Sequence, residues 1–211
     1  ENENIFYYLT LMNENYQHPA LPDSDSIADE IIKGIYKLET VEASSAVANV
    51  QLMGSGTILQ QVREAAQLLA KLYNVSADVY SVTSFNELAR EGQDVTRWNM
   101  LNPSKEAKVP YISQVITDAA GPAIAATDYV KSYSDQVRAF IPTQYRCLGT
   151  DGFGRSDSRA NLRRHFEVDH KYIVVAALYE LAQRGDVDIK LVSDAIKRFD
   201  IDTDKLNPLY A

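Results

Sequence analysis

Cysteine occurs once in this 211-residue chain, at Cys147, so no intrachain disulfide and no thiolate zinc cluster can form. Basic residues are in deficit. Lys plus Arg number 21 against 29 Asp plus Glu, giving a formal charge of −8 and a pI near 4.9. The global basic footprint of a nucleic-acid-binding chain is therefore missing. No apolar run approaches the roughly 20 residues that a bilayer-spanning helix needs. Repeats and low-complexity stretches are absent, as are the Gly-x-Ser-x-Gly elbow and the Walker lysine loop. Glu1-Asn2-Glu3-Asn4 carries neither an initiating methionine nor a signal-peptide pattern, and the first Met is Met12. This start reads as the downstream piece of a longer polypeptide, although processing or trimming would give the same beginning. What remains is ordinary for a folded protein: 45% hydrophobic and 24% charged residues, enough for the core of one generous domain. The composition places the chain among soluble, cytosolic globular proteins.

Along the chain, residues 5–12 are rich in Ile, Phe, Tyr and Leu and read as a strand. Two prolines with Asp and Ser between residues 18 and 26 mark a linker. Ser26 opens a helix, with Asp29 approximating a capping box and Gly34 ending it. Residues 36–41 alternate apolar and polar, which suits a half-wet antiparallel edge strand. Residues 50–53 form a second strand running into Gly54-Ser55-Gly56. The helix after it carries Ile58, Val62, Ala65, Leu69 and Leu72 on one stripe. A third strand spans 78–82, and Ser84 caps a helix through Leu88. Residues 123–126 form a fourth strand. Thr127 then caps a helix turning Val130, Tyr133, Val137 and Phe140 inward. A fifth strand, 145–148, leads into a glycine-bearing loop, 149–156. Leu162 and Phe166 mark a short helix. Residues 169–184 are apolar nearly all round and should be buried, with Gly185 as the stop. Ile189, Val192, Ile196 and Phe199 give a last amphipathic helix. The alternation of strand and helix predicts a three-layer α/β fold: a five-stranded, mostly parallel sheet with helices on both faces.

Candidate sites divide into weak and strong. Gly54-Ser55-Gly56 invites a dinucleotide reading, but the fingerprint's third glycine is replaced by Leu59, and a tight strand-to-helix turn needs such glycines without a ligand. Asp200, Asp202 and Asp204 have the spacing of the first calcium-loop ligands, yet Lys205 and Ala211 stand where glycine and glutamate are required. His165 and His170 are five apart, off the spacing of a helical metal pair, and His18 is remote in sequence from both. Cys147 reads as a structural thiol within a strand. The Asn74-Val75-Ser76 sequon has no use in a cytosolic protein. The distinctive stretch is Gly149-Thr150-Asp151-Gly152-Phe153-Gly154-Arg155-Ser156 with Arg159, Arg163 and Arg164 behind it. Open α/β sheets place binding loops at the carboxyl ends of strands, so these residues form a candidate anion site or partner-docking surface. A rigid connection whose glycines meet positive φ explains the same residues.

That loop also carries a resemblance. LGTDGFGRSDSRANLRRHFEVD resembles the end of the decarboxylating component of pyruvate dehydrogenase, in the bacterial homodimeric, thiamine-diphosphate-dependent, acetyl-transferring family. FYYLTLMNENYQHP, IIKGIYKLETVE, LMGSG, DVYSVTSFNELAREGQD, RWNMLNP and ATDYVKSYSDQVRAFIP match it too, in order and over nearly the whole chain. The wider transketolase superfamily shares only the weaker D-x-FG-x-S element: Asp151, Phe153, Gly154 and Ser156.

The resemblance implies that residues 1–22 end a middle, pyrimidine-binding domain and that 23–211 form a transketolase-type C-terminal domain. It implies a parent enzyme that oxidatively decarboxylates pyruvate and passes the acetyl unit to a lipoyl group on an acyltransferase core. In that family thiamine diphosphate and Mg²⁺ are held by a Gly-Asp-Gly motif. Here Gly185-Asp186 is followed by Val187. The activating glutamate also lies upstream of Glu1. The expectation is therefore a non-catalytic domain that binds no cofactor or metal itself, serving homodimer assembly and docking of the acyltransferase component in the bacterial cytoplasm. Two readings compete with it: a self-contained regulatory module binding a small anion at 149–156, and a small nucleotide-dependent enzyme using Gly54–Gly56.

Overall fold

Short runs of Val, Ile and Ala, too apolar to leave either face in water, pair into a single sheet. The computed structural model describes residues 4–9, 11 and 14–211. In chain order the elements are α1 (Ile27–Lys33), β1 (Ile35–Val41), β2 (Ala48–Gly54), α2 (Ile58–Tyr73), β3 (Val75–Val82), α3 (Phe85–Leu101), α4 (Tyr111–Val115), β4 (Ala123–Ala126), α5 (Lys131–Asp135), β5 (Tyr145–Leu148), α6 (Arg159–His165), α7 (His170–Arg184) and α8 (Lys190–Arg198), with short 3-10 turns between some of them. The strand order is β1-β3-β2-β4-β5. β1 lies antiparallel to β3 at the edge, from Ile35 opposite Val82 to Val41 opposite Ala77, and its register shifts between Lys37 and Glu39. All other pairings are parallel.

Successive residues of a strand point to opposite faces, and this period of two splits the core. Leu52, Val79, Ile124 and Ala126 face one cluster, with the apolar side of α2 and with α7 and α8. Met53, Tyr80, Ala123 and Ala125 face the other, with Phe85 and Leu88 of α3 and Ile112 of α4. Asp169 caps α7 by accepting the N–H groups of Lys171 and Tyr172, and Gly185 closes it in a left-handed conformation. The five expected strands, the edge position of β1 and the helices on both faces are all present.

Four local expectations are corrected. Residues 5–9 and 11 form no strand and their side chains are exposed, while Thr10 and Met12 lie outside the described residues. A lone apolar strand has no partner here to take its hydrogen bonds. Ser26 makes no side-chain cap to α1, because its hydroxyl donates to the Glu30 carboxylate instead. Ser84 does cap α3, accepting from Glu87 N–H, but the helix continues well past Leu88 to Leu101. No apolar stripe announces that extension, since Thr96, Arg97 and Met100 are all exposed. No helix starts at Thr127. The Thr127 side chain is buried and occupied, hydrogen-bonding Ser55 Oγ and accepting from Tyr129 N–H. α5 begins only at Lys131 and gives way to a 3-10 turn at Arg138–Phe140. Val137 is inward as expected, whereas Val130 is exposed.

Candidate functional site

The parallel strands β2, β3, β4 and β5 end on the same rim. From β2 the chain runs through α2 to β3 on one side, and from β3 it later crosses to β4 on the other. The crevice between the carboxyl ends of β2 and β4 is thus the topological switch point, where open α/β sheets bind ligands. Ser55 after β2 and Thr127 after β4 meet across it at 2.9 Å. Gly54 is needed there for close packing, because a Cβ would press on Leu59 of the following helix. That is the structural role expected of this turn.

The loop after β5 is held down onto the rim. Thr150 donates its hydroxyl to the Asp128 carbonyl (2.6 Å) and its N–H to the Tyr129 carbonyl (2.8 Å). The Asp151 carboxylate accepts from Lys131 N–H (2.9 Å) and pairs with Lys131 Nζ at 3.8 Å. Gly152, at φ +94°, lies against the C-terminal tail, and a Cβ on it would collide with the Pro208 carbonyl. Asp157 accepts from Ser158 N–H and Asn161 Nδ2. The Asn161 amide, and then the Ser158 N–H, hold its carboxyl below the usual carboxylate range. Ser158 caps α6 by accepting from Asn161 N–H.

These constraints shape an open cleft of about 430 Å³, lined among others by Thr57, Asp128, Thr150, Arg155, Arg159 and Arg163. Arg159 and Arg163 are four apart on α6 and so share one helix face. Gly152 and Gly154 also line the cleft. Of the remaining candidate residues, Asp151 serves the loop anchor just described. Phe153 points outward, 81% exposed. Ser156 lines a neighbouring hollow with Arg155 and His165. Arg164 lines a different hollow with Asp169 and Tyr172.

Residues that no sequence pattern indicated complete the site. Glu14 and Tyr16, ahead of the sheet, reach across to α6. Glu14 Oε2 pairs with Arg159 Nε at 2.5 Å and accepts from the Tyr16 hydroxyl at 2.7 Å. Arg163 donates to that hydroxyl at 3.0 Å and stands over the Tyr16 ring. Gln60 of α2 donates to the Gln17 carbonyl at 3.0 Å. Residues 14–17 therefore form a strap between α2 and α6. A separation of 147 residues between Tyr16 and Arg163 leaves no local signal for such a contact.

The remaining sequence candidates are dispersed. His18 is exposed. The His165 ring meets Phe166 edge-on, and loss of solvation, followed by the nearby Arg155 charge, lowers its pKa. His170 Nδ1 lies 3.2 Å from Glu64. Asp202 accepts the Asp204 N–H in a local turn. The Cys147 thiol lies 3.6 Å from Asp135, and burial pushes its pKa up. Among the described residues no group of three His, Cys, Asp or Glu side chains can hold a metal ion. Asp186, the nearest approach to a Gly-Asp-Gly aspartate, pairs with Arg184 beside the end of α7. These residues do not fit a thiamine diphosphate–Mg²⁺ group. Nor is any helix among the described residues long and apolar enough to cross a membrane.

The fold and its rim define an open-sheet α/β domain with its cleft at the switch point. A family model described as the transketolase-like TK C-terminal domain matches residues 34–169, and the chain belongs to that family. It is 61% identical to the pyruvate dehydrogenase E1 component of Escherichia coli strain K12, with all of this chain and 23% of the relative aligned. The E1 component of Haemophilus influenzae is 56% identical, with 100% and 24% covered. That of Pseudomonas aeruginosa is 52% identical, with 99% and 24% covered. The chain thus spans about a quarter of the length of these curated relatives. A solved transketolase from Pichia stipitis superimposes with a TM-score of 0.51 at 17% identity, covering 79% of this chain and 20% of that one, which shows a shared fold.

Proposed function

We propose that this chain is the C-terminal, non-catalytic part of a bacterial pyruvate dehydrogenase E1 component. Residues 23–211 make the domain, and 1–22 end the domain before it. The reading is carried by 61% identity to the Escherichia coli E1 component with the whole of this chain aligned. The parent would oxidatively decarboxylate pyruvate in the bacterial cytoplasm and pass the acetyl unit to lipoyl groups of an acyltransferase component. Thiamine diphosphate and Mg²⁺ would be held upstream, since the residues here do not fit them, and no step of that chemistry is assigned to this domain.

The work left to the domain is assembly: support of the homodimer and docking of the acyltransferase component. The docking surface is the outward side of the rim. Phe153 and Tyr210 are 81% and 73% exposed there, Leu209 is half exposed, and Arg155 adds charge. Arg159 and Arg163 contribute less than their number suggests, because Glu14 and Tyr16 already engage them. The experiment is a chimera in which this chain replaces the matching quarter of the Escherichia coli E1 component. The expected result is a dimer that decarboxylates pyruvate at a rate comparable to the parent. A folded chimera that stays monomeric or inactive would overturn the reading.

A further inference from the structure

The cleft at the switch point carries a charge imbalance. Three guanidinium groups, Arg155, Arg159 and Arg163, line it against one lining carboxylate, Asp128, on a chain whose formal charge is −8. Thr57 and Ile58, at the start of the 16-residue helix α2, form another part of the wall. The first turn of α2 holds no acidic residue, and Thr57 supplies no side-chain cap. Guanidinium groups take carboxylates and phosphoryl groups through paired, charge-assisted hydrogen bonds. A helix N-terminus adds positive potential in the same direction.

The molecule itself shows what chemistry the arginines accept. The Glu14 carboxylate sits on Arg159, borne by a strap without regular secondary structure, and its side chain is about half exposed. This is a carboxylate in place, held by a segment that belongs to no helix or strand.

We propose that the cleft binds a small molecule through a phosphoryl or carboxylate group, and that Glu14 is its tethered internal competitor. The incoming anion takes the guanidinium groups of Arg155, Arg159 and Arg163. Glu14 withdraws, Tyr16 loses its place over Arg163, and the strap is released from α6. Occupancy of the cleft is thereby coupled to release of residues 14–17 from α6. The inference does not rest on the parent-enzyme reading, because the cleft and the strap both lie within this chain.

The test is calorimetry at constant ionic strength, titrating inorganic phosphate, pyrophosphate and succinate separately into the 211-residue chain. Glu14→Gln should tighten binding by about threefold or more, the measure of one exposed ion pair. Glu106→Gln, an equal charge change at another exposed site, should leave it unchanged. The double variant Arg155→Ala, Arg163→Ala should weaken binding by about tenfold. Binding by the phosphates alone, or by succinate alone, supports the site and selects its ligand group. No binding of any probe to either the chain or Glu14→Gln would overturn the proposal. So would an equal gain from Glu106→Gln, or an affinity indifferent to the arginine pair.

Discussion

Two of the three glycines of the rim loop, Gly152 and Gly154, are chemically identical and structurally opposite. Gly152 holds φ +94° with the Pro208 carbonyl where a side chain would begin, whereas Gly154 has open space around it. Gly152→Ala must therefore strain its own backbone or push the C-terminal tail away, at a cost of about 1–3 kcal/mol. Gly154→Ala should stay within about 0.5 kcal/mol of the parent. Thermal melts of the two variants check this directly, and equal effects would mean that the loop is not pinned by the tail. A run of glycines near arginines is legible in the sequence. Which glycine is required is not, because the colliding carbonyl comes from a residue more than fifty positions away. Glu14 is a sharper case: an acidic residue among polar neighbours, it is marked only by the side chain it reaches in space.

At the scale of elements, the apolar periodicities of β2, α2, β4 and β5 announced them well. Every residue of such an element contributes to one pattern, and burial enforces it. Helix ends depend on single side chains and were less reliable. Ser26 and Asp169 both look like N-caps, yet only Asp169 accepts backbone N–H groups, while the Ser26 hydroxyl is diverted to Glu30. Asp169→Ala should lower stability by about 1–2 kcal/mol, seen as a reduced urea midpoint at unchanged slope. Ser26→Ala should change it by less than about 0.5 kcal/mol. Similar losses from both would show that cap geometry is not what stabilises α7. Thr127 failed as a cap for a related reason: the parallel neighbours β2 and β4 bring Ser55 within hydrogen-bonding distance of its hydroxyl first.

For the whole molecule, the strand order decides what the side chains can do together. It sets β2 beside β4, gathers the four carboxyl ends of β2, β3, β4 and β5 on one rim, and turns Phe153, Tyr210 and Arg155 outward as the docking face proposed above. In the chimera, Phe153→Ser with Arg155→Glu should weaken binding of the acyltransferase component by about two- to tenfold at low salt, with the gap narrowing as salt rises. Sedimentation or surface-binding measurements report it, and a salt-independent, undiminished affinity would remove this face from assembly. The amino-acid sequence by itself determined the fold class, the five strands, the edge strand and the family resemblance, because alternation and burial are written into consecutive residues. The tertiary structure alone decided that Glu14 and Tyr16 close over α6, that Arg159 and Arg163 share a cleft while Arg164 turns away, and that the tail pins Gly152. Those facts depend on distances between residues far apart along the chain, which exist only once the sheet has been ordered.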